Sequence, residues 1–304
     1  MDKLQQMQTF VRVVETGSFS AVAKEGHNTQ SAISKQVAAL EQSLGVQLLV
    51  RTTRSLSLTE AGERYFERAR RLIAEVAEAE SDLRAGEKQL QGWLRVAASG
   101  AFGRLKLFPL VRSFLAAHPG VRIDLKLADG FIDLVEQGVD VAVRIGELPD
   151  STMIARRIGT TRRGLLARRD YLRSLPPGRA LPRNPIDLLD HNCIVYSELA
   201  TRNVWSFTAG PGADAEIGTV ETIRASGNLQ TNASEIVRAA VLSGHGVGYA
   251  PVFLFEEELA RGEVESLLPD WTVQDLPIHL VSPPQRKHSA KVRAFGDHIA
   301  TIGF

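Results

Sequence analysis

Between Ser18 and Gly45 the chain reads as two short amphipathic helices parted by a polar turn. In the second, Ile33, Val37, Leu40 and Leu44 recur at offsets of four, three and four, so one apolar stripe faces its neighbours and the opposite side is left free. Ser18 or Ser20 is placed to cap the first helix and Thr29 the second, and Gly45 supplies the left-handed residue that ends it. The turn Gly26-His27-Asn28 suits an abrupt change of direction because Gly and Asn tolerate positive φ. Upstream, Leu4, Met7, Phe10, Val11 and Val14 form the apolar face of a further helix that supports the pair.

On the free side of the second helix, near its N-terminal end, stand Gln30, Ser31, Ser34 and Lys35, small or donor-rich side chains able to reach base edges and phosphates. A helix that enters the DNA major groove needs this composition, although any small helical domain with two such helices shares the periodicity. Residues 48–59 favour the groove-entering helix. Leu48 and Leu49 are apolar, Arg51-Thr52-Thr53-Arg54 places cations and hydroxyls in a short loop, and Leu56, Leu58 and Thr59 read as a brief returning strand, so the segment predicts a wing. Arg51 and Arg54 are placed to lie along the phosphate backbone or in the minor groove, giving the salt-sensitive, sequence-independent part of binding. A solvated Arg-rich turn would read the same by itself.

Phe10 to Glu15, Gly17-Ser18-Phe19-Ser20-Ala21, Gln30-Ser31-Ala32-Ile33-Ser34, Leu40-Glu41, Leu44-Gly45, Arg51-Thr52, Arg54 and Leu58-Thr59-Glu60-Ala61-Gly62 stand at the spacing of one family. Through these pieces the chain resembles the LysR-type transcriptional regulators over roughly its first sixty residues. Gly26 and Asn28 stand where that family usually has aliphatic residues, and Leu49 where Phe is common. The resemblance implies a cytoplasmic homodimer or homotetramer that binds double-stranded promoter DNA and acts on the transcription machinery. It also implies a small effector held between two periplasmic-binding-protein-like lobes of a C-terminal domain. By position it makes Gln30, Ser31, Ser34 and Lys35 the DNA-reading residues and Arg54 the wing contact, with Ser18 and Thr29 as caps near phosphates.

Further on, Tyr65, Ala69, Leu72, Val76, Ala79, Leu83, Gly86 and Leu90 fall on alternating steps of four and three, while Glu63, Arg64, Glu67, Arg68, Arg70 and Arg71 face elsewhere. This predicts a long helix with an apolar seam, read as a dimerisation linker; the alternative is a helix packed on its own domain. A pair of winged domains spans half-sites one helical turn, about 34 Å, apart.

From Gly92 the period changes. Leu94, Val96 and Ala98 alternate as a strand, a helix near Leu105 to Ala117 ends before Pro119, and Val121, Ile123, Leu125 and Leu127 alternate again. Leu134 and Val135 are expected in a short helix closed by Gly138, and Val139 to Ile145 in a strand, the rhythm of a parallel α/β sheet. Loop punctuation at Pro176 to Pro185 precedes strands near Ile194-Val195-Tyr196, Val220 to Ile223 and Val247-Gly248-Tyr249, around a helix from Ala233 to Leu242. The expected architecture is an N-terminal winged helix-turn-helix over residues 1–59, a linker helix over 60–91, and a two-lobed α/β domain over 92–304. Its first lobe takes about 92–162 and 269–304, its second about 163–268.

Composition changes this picture little. The 304 residues are 44% hydrophobic and carry a net charge of +1, so no global basic field advertises nucleic acid. Residues 1–58 nevertheless hold six Lys and Arg against four acids. The single cysteine, Cys193, excludes an internal disulfide and a cysteine-rich zinc site; between apolar neighbours it reads as a small buried hydrophobe. MDKLQQMQTF lacks an apolar signal region and no run approaches eighteen apolar residues, so no membrane partner and a cytoplasmic location are expected.

Ligands of open α/β sheets bind beyond the carboxyl ends of strands, where helix N-termini offer free amides. Two such places are Ser99-Gly100-Ala101-Phe102-Gly103 and Thr231-Asn232-Ala233-Ser234. With Arg144 at a strand end, and Phe102, Ile145, Tyr196 and Tyr249 as walls, they suit a small polar or anionic metabolite. Each hydroxyl or amide group reads equally as a helix cap. Gly244 to Gly248 has the wrong spacing for a dinucleotide loop and reads as a tight helix-to-strand turn. The histidines at 118, 191, 279, 288 and 298 are scattered, no serine sits in a nucleophile elbow, and Asp129, Asp133, Glu136 and Asp140 read as caps and solvated charges, so neither metal, cofactor nor catalytic residues are assigned. An enzyme with a helical accessory domain and a ligand-binding module without DNA affinity remain as alternatives.

Overall fold

The computed structural model describes residues 2–51, 56–83, 90–176, 181–199 and 201–301; of Arg51, Glu75 and residues 77–83 it describes the backbone alone. The chain forms two compact units, residues 1–88 and 89–304.

The first unit opens with helix α1 (Lys3–Thr16), capped by Asp2 and closed by Gly17 at φ 65°. Helix α2 (Phe19–Glu25) starts where the Ser18 hydroxyl accepts the Ala21 N–H, and α3 (Gln30–Leu44) where that of Thr29 accepts the Ala32 N–H, both at 3.2 Å. Gly45 ends α3 at φ 68°. The expected stripe is inside: Ile33, Val37 and Leu40 are buried with Phe10, Val13, Val22 and Leu48, and Leu44 packs against them. In the turn the left-handed residue is His27, at φ 51°, rather than Gly26 or Asn28. Asn28 instead donates its side-chain amide to the Gly26 carbonyl at 3.0 Å, tying the turn from outside.

Strands β1 (Leu49–Arg51) and β2 (Leu56–Leu58) pair antiparallel, Leu49 opposite Leu58, as a wing requires; the loop with Thr52, Thr53 and Arg54 lies outside the described residues. The Glu41 carboxylate accepts the Leu48 and Leu49 N–H groups at 2.8 and 3.0 Å, fixing the wing to α3. Helix α4 (Glu60–Leu83) begins at Thr59, whose hydroxyl accepts the Gly62 N–H at 2.9 Å. The expected seam divides. Tyr65 and Ala69, joined by Phe66 and Ile73, pack on the winged-domain core, while Leu72 and Val76 stay exposed. Leu90 is not on this helix: it packs against the core of the second unit.

The second unit holds two five-stranded sheets. The first has the spatial order Val121–Leu127, Gly92–Ala98, Val141–Ile145, Leu276–Ser282, Ile154–Thr161. The second has the order Gln230–Thr231, Cys193–Tyr196, Val247–Pro251, Arg163–Arg168, Val264–Leu267. Both are mixed rather than purely parallel, because the strands at Leu276 and Ile154, and those at Arg163 and Val264, run against their neighbours. Val220–Arg224 lies in a separate antiparallel sheet with Val204–Ala209 and Trp271–Thr272. The helix after the first strand starts at Gly100, passes through a wide turn at Gly103–Leu107 and runs to Ala117. Residues 134–138 form turns instead of the expected helix: the Asp133 carboxylate takes the Val135 and Glu136 N–H groups, holding a turn that Gly138 closes at φ 62°. Gly244, at φ 72°, makes the tight turn from the Ser234–Leu242 helix into the Val247 strand.

Candidate DNA-reading surface and ligand cleft

At the N-terminal turn of α3, Thr29 is spent on its cap but remains exposed, Gln30, Ser31 and Lys35 are exposed, and Ser34 is half-buried. These side chains share the side that the Ile33 stripe leaves free. Lys35 forms no ion pair among the described residues, whereas Arg12 on α1 is bound to Glu15 at 2.6 Å and to both oxygens of Glu25. Basic charge in this domain is therefore distributed unequally: Arg12 is neutralised locally and Lys35 is not. Ser18 is half-buried in its cap.

Between the two large sheets a cleft of about 120 Å³ opens to solvent. Eight of the residues expected at the site line it: Ser99, Ala101, Phe102, Arg144, Ile145, Tyr196, Ser234 and Tyr249. Gly103, Thr231 and Asn232 do not. Gly103 lies inside the helix, where a Cβ would meet the Leu127 side chain at 2.2 Å, so its role is close packing. The Thr231 hydroxyl is turned to the Ala233 N–H at 3.1 Å, and Asn232 is away from the lining; of that expected segment it is Ser234 that lines the cleft.

The decisive polar group is a carboxylate expected only as a cap or a solvated charge. Asp129 follows the Val121–Leu127 strand, and its carboxylate accepts the Gly100 N–H at 2.7 Å and also the Ser234 N–H. Both helix N-termini expected to receive a ligand are thus capped by one internal carboxylate, and Ser99 makes no cap bond. Arg144 donates to the Gly130 carbonyl at 3.1 Å and lies over the Phe131 ring, while its Nη2 is buried with no partner among the described residues; burial lowers its pKa from the usual guanidinium value. The Ser234 hydroxyl is also buried, with no partner among the described residues. Burial first, then the carboxylates of Asp129 and Glu198, raise the Tyr196 phenol well above its ordinary range. Tyr249 stacks at 4.9 Å on Trp205, which supports it from behind, and Phe102 meets Phe253, also on the lining, edge-on. Asp140, expected as a cap or solvated charge, is instead buried, bound by the Arg95 N–H and by Arg286.

Residues 4–63 match the family model for bacterial regulatory helix-turn-helix proteins of the lysR family, and residues 87–302 that for the LysR substrate binding domain. The chain belongs to the LysR-type transcriptional regulators. This LysR-type regulator is 34% identical over 296 residues to the HTH-type transcriptional regulator CrgA of Neisseria meningitidis, covering 97% of this chain and 95% of that protein. The solved CrgA structure superposes with a TM-score of 0.60 at 33% identity, covering 98% of both chains. The full-length Vibrio cholerae virulence activator AphB gives 0.59 at 27% identity over 99% of both. No described helix of this LysR-type regulator is long and apolar enough to cross a membrane.

Proposed function

We propose that this regulator reads double-stranded promoter DNA with the N-terminal turn of α3, and that a small polar or anionic molecule in the inter-sheet cleft modulates that binding. The observation that carries the reading is the exposed Gln30-Ser31-Lys35 tip on a helix whose other side is locked into a core. Gln30 and Ser31 supply base-edge donors and acceptors, Ser34 and Lys35 extend the contact to phosphate, and Ser18 and Thr29 present capped amides beside it. Arg51 and Arg54 add wing contacts. Membership of the family supports a binding role for the α/β portion rather than an enzymatic one, and work in the cytoplasm with the transcription machinery. Exposed Leu72 and Val76 on α4 support pairing with a second copy as dimer or tetramer.

A ligand shifts DNA binding only by its differential affinity for two arrangements of the cleft. Gel retardation of the promoter region beside the protein's own gene, at rising salt, tests the reading. Retardation with an affinity that falls steeply with salt is expected. No retardation at any salt concentration would contradict it.

A further inference from the structure

We propose that Asp129 is the specificity-determining residue of the cleft: its carboxylate is a resident occupant of the anion seat, so the native chain refuses small carboxylates there. The accepted ligand instead presents an acceptor to Arg144 and donors to Asp129 and Glu198. The inference rests on the cleft being the ligand site.

The seat is built and filled. One oxygen of Asp129 holds the Gly100 N–H on the side of the first sheet and the other holds the Ser234 N–H on the side of the second, so one side chain ties both walls. An incoming carboxylate finds these amides taken and meets the like charge of Asp129, with Glu198 also on the lining. On two residues of the lining, the Arg144 Nη2 donor and the Ser234 hydroxyl are buried with no partner among the described residues. Two carboxylates and one guanidinium leave the lining one negative charge in excess, so a zwitterionic or cationic ligand with more donors than acceptors matches it, and a simple anion does not.

Acetate is the probe, read without DNA, so that a failure of promoter binding and a failure of this inference are separate results. Asp129→Ala loses two charge-assisted bonds and is expected to melt roughly 4–8 °C below the native protein. Acetate, compared with chloride at equal ionic strength, restores at least half of that loss in the variant and leaves the native midpoint unmoved. Asp129→Ser, which also vacates the seat, behaves likewise and decides the matter if the alanine variant does not fold. In the native protein the Gly100 and Ser234 amide resonances stay put as acetate is added. Equal stabilisation of native and variant proteins, no acetate response in a folded variant, or movement of those two resonances in the native protein would each overturn the inference.

Discussion

At Gly62 a Cβ would lie 2.0 Å from the Leu48 carbonyl oxygen, a backbone atom that cannot step aside. Gly62→Ala is therefore expected to cost about 1–3 kcal/mol by denaturant unfolding, because α4 must move off the wing. Gly26 is the opposite case. Its φ is −98° and a Cβ meets the exposed Asn28 amide at 3.1 Å and the Val22 carbonyl oxygen at an ordinary 3.7 Å, so Gly26→Ala is expected to keep or raise stability by up to about 1 kcal/mol. A buried hydrogen bond joins Thr9 to Gln36 at 2.5 Å, locking α1 to α3; Gln36→Ala orphans the hydroxyl and is expected to cost about 1–3 kcal/mol. Cys193 is fully buried, and burial pushes its thiol up to about 12 from 9.0. The unfolded chain releases that proton first, so stability falls as pH rises from about 9 towards 12, by at most about 1.4 kcal/mol per pH unit from this group. Cys193→Ala should flatten that limb of a stability-versus-pH curve, and the native thiol should resist iodoacetamide at neutral pH.

Elements whose fate is set by their own periodicity were legible: the α3 stripe, the caps at Ser18 and Thr29, and the wing strands all follow from local pattern. Others were not. Ile154–Thr161 is an edge strand in which Ile158 alone is buried, so its sequence has no alternation to read. Arg163–Arg168 buries the unbroken run Leu165-Leu166-Ala167, which period alone cannot tell from helix. On α4 one heptad pattern served two purposes, since Tyr65 and Ala69 turn into the winged core while Leu72 and Val76, 51% and 37% exposed, do not. Sedimentation separates these roles. Leu72→Glu with Val76→Glu should yield a folded monomer, whereas Ala69→Glu should unfold the winged domain; an oligomer unaffected by the double change would place the pairing surface elsewhere.

For the molecule as a whole, a net charge of +1 gave no sign of DNA because 36 Lys and Arg are balanced by 35 Asp and Glu along the chain, whereas locally Arg12 is consumed by Glu15 and Glu25 and Lys35 is left outward at the α3 tip. The cleft was half legible. Its walls follow from strand ends, but Asp129 reaches two helix N-termini that only the tertiary fold brings together, one 29 and the other 105 residues away. The most direct test of the central claim, that the α3 tip reads DNA, is a competition titration of native, Lys35→Ala and Gln30→Ala proteins between promoter and unrelated duplex over a range of salt. Lys35→Ala should weaken both complexes alike and lower the salt slope by about one, and Gln30→Ala should lower the promoter affinity alone. Native affinity, slope and selectivity in both variants would contradict it.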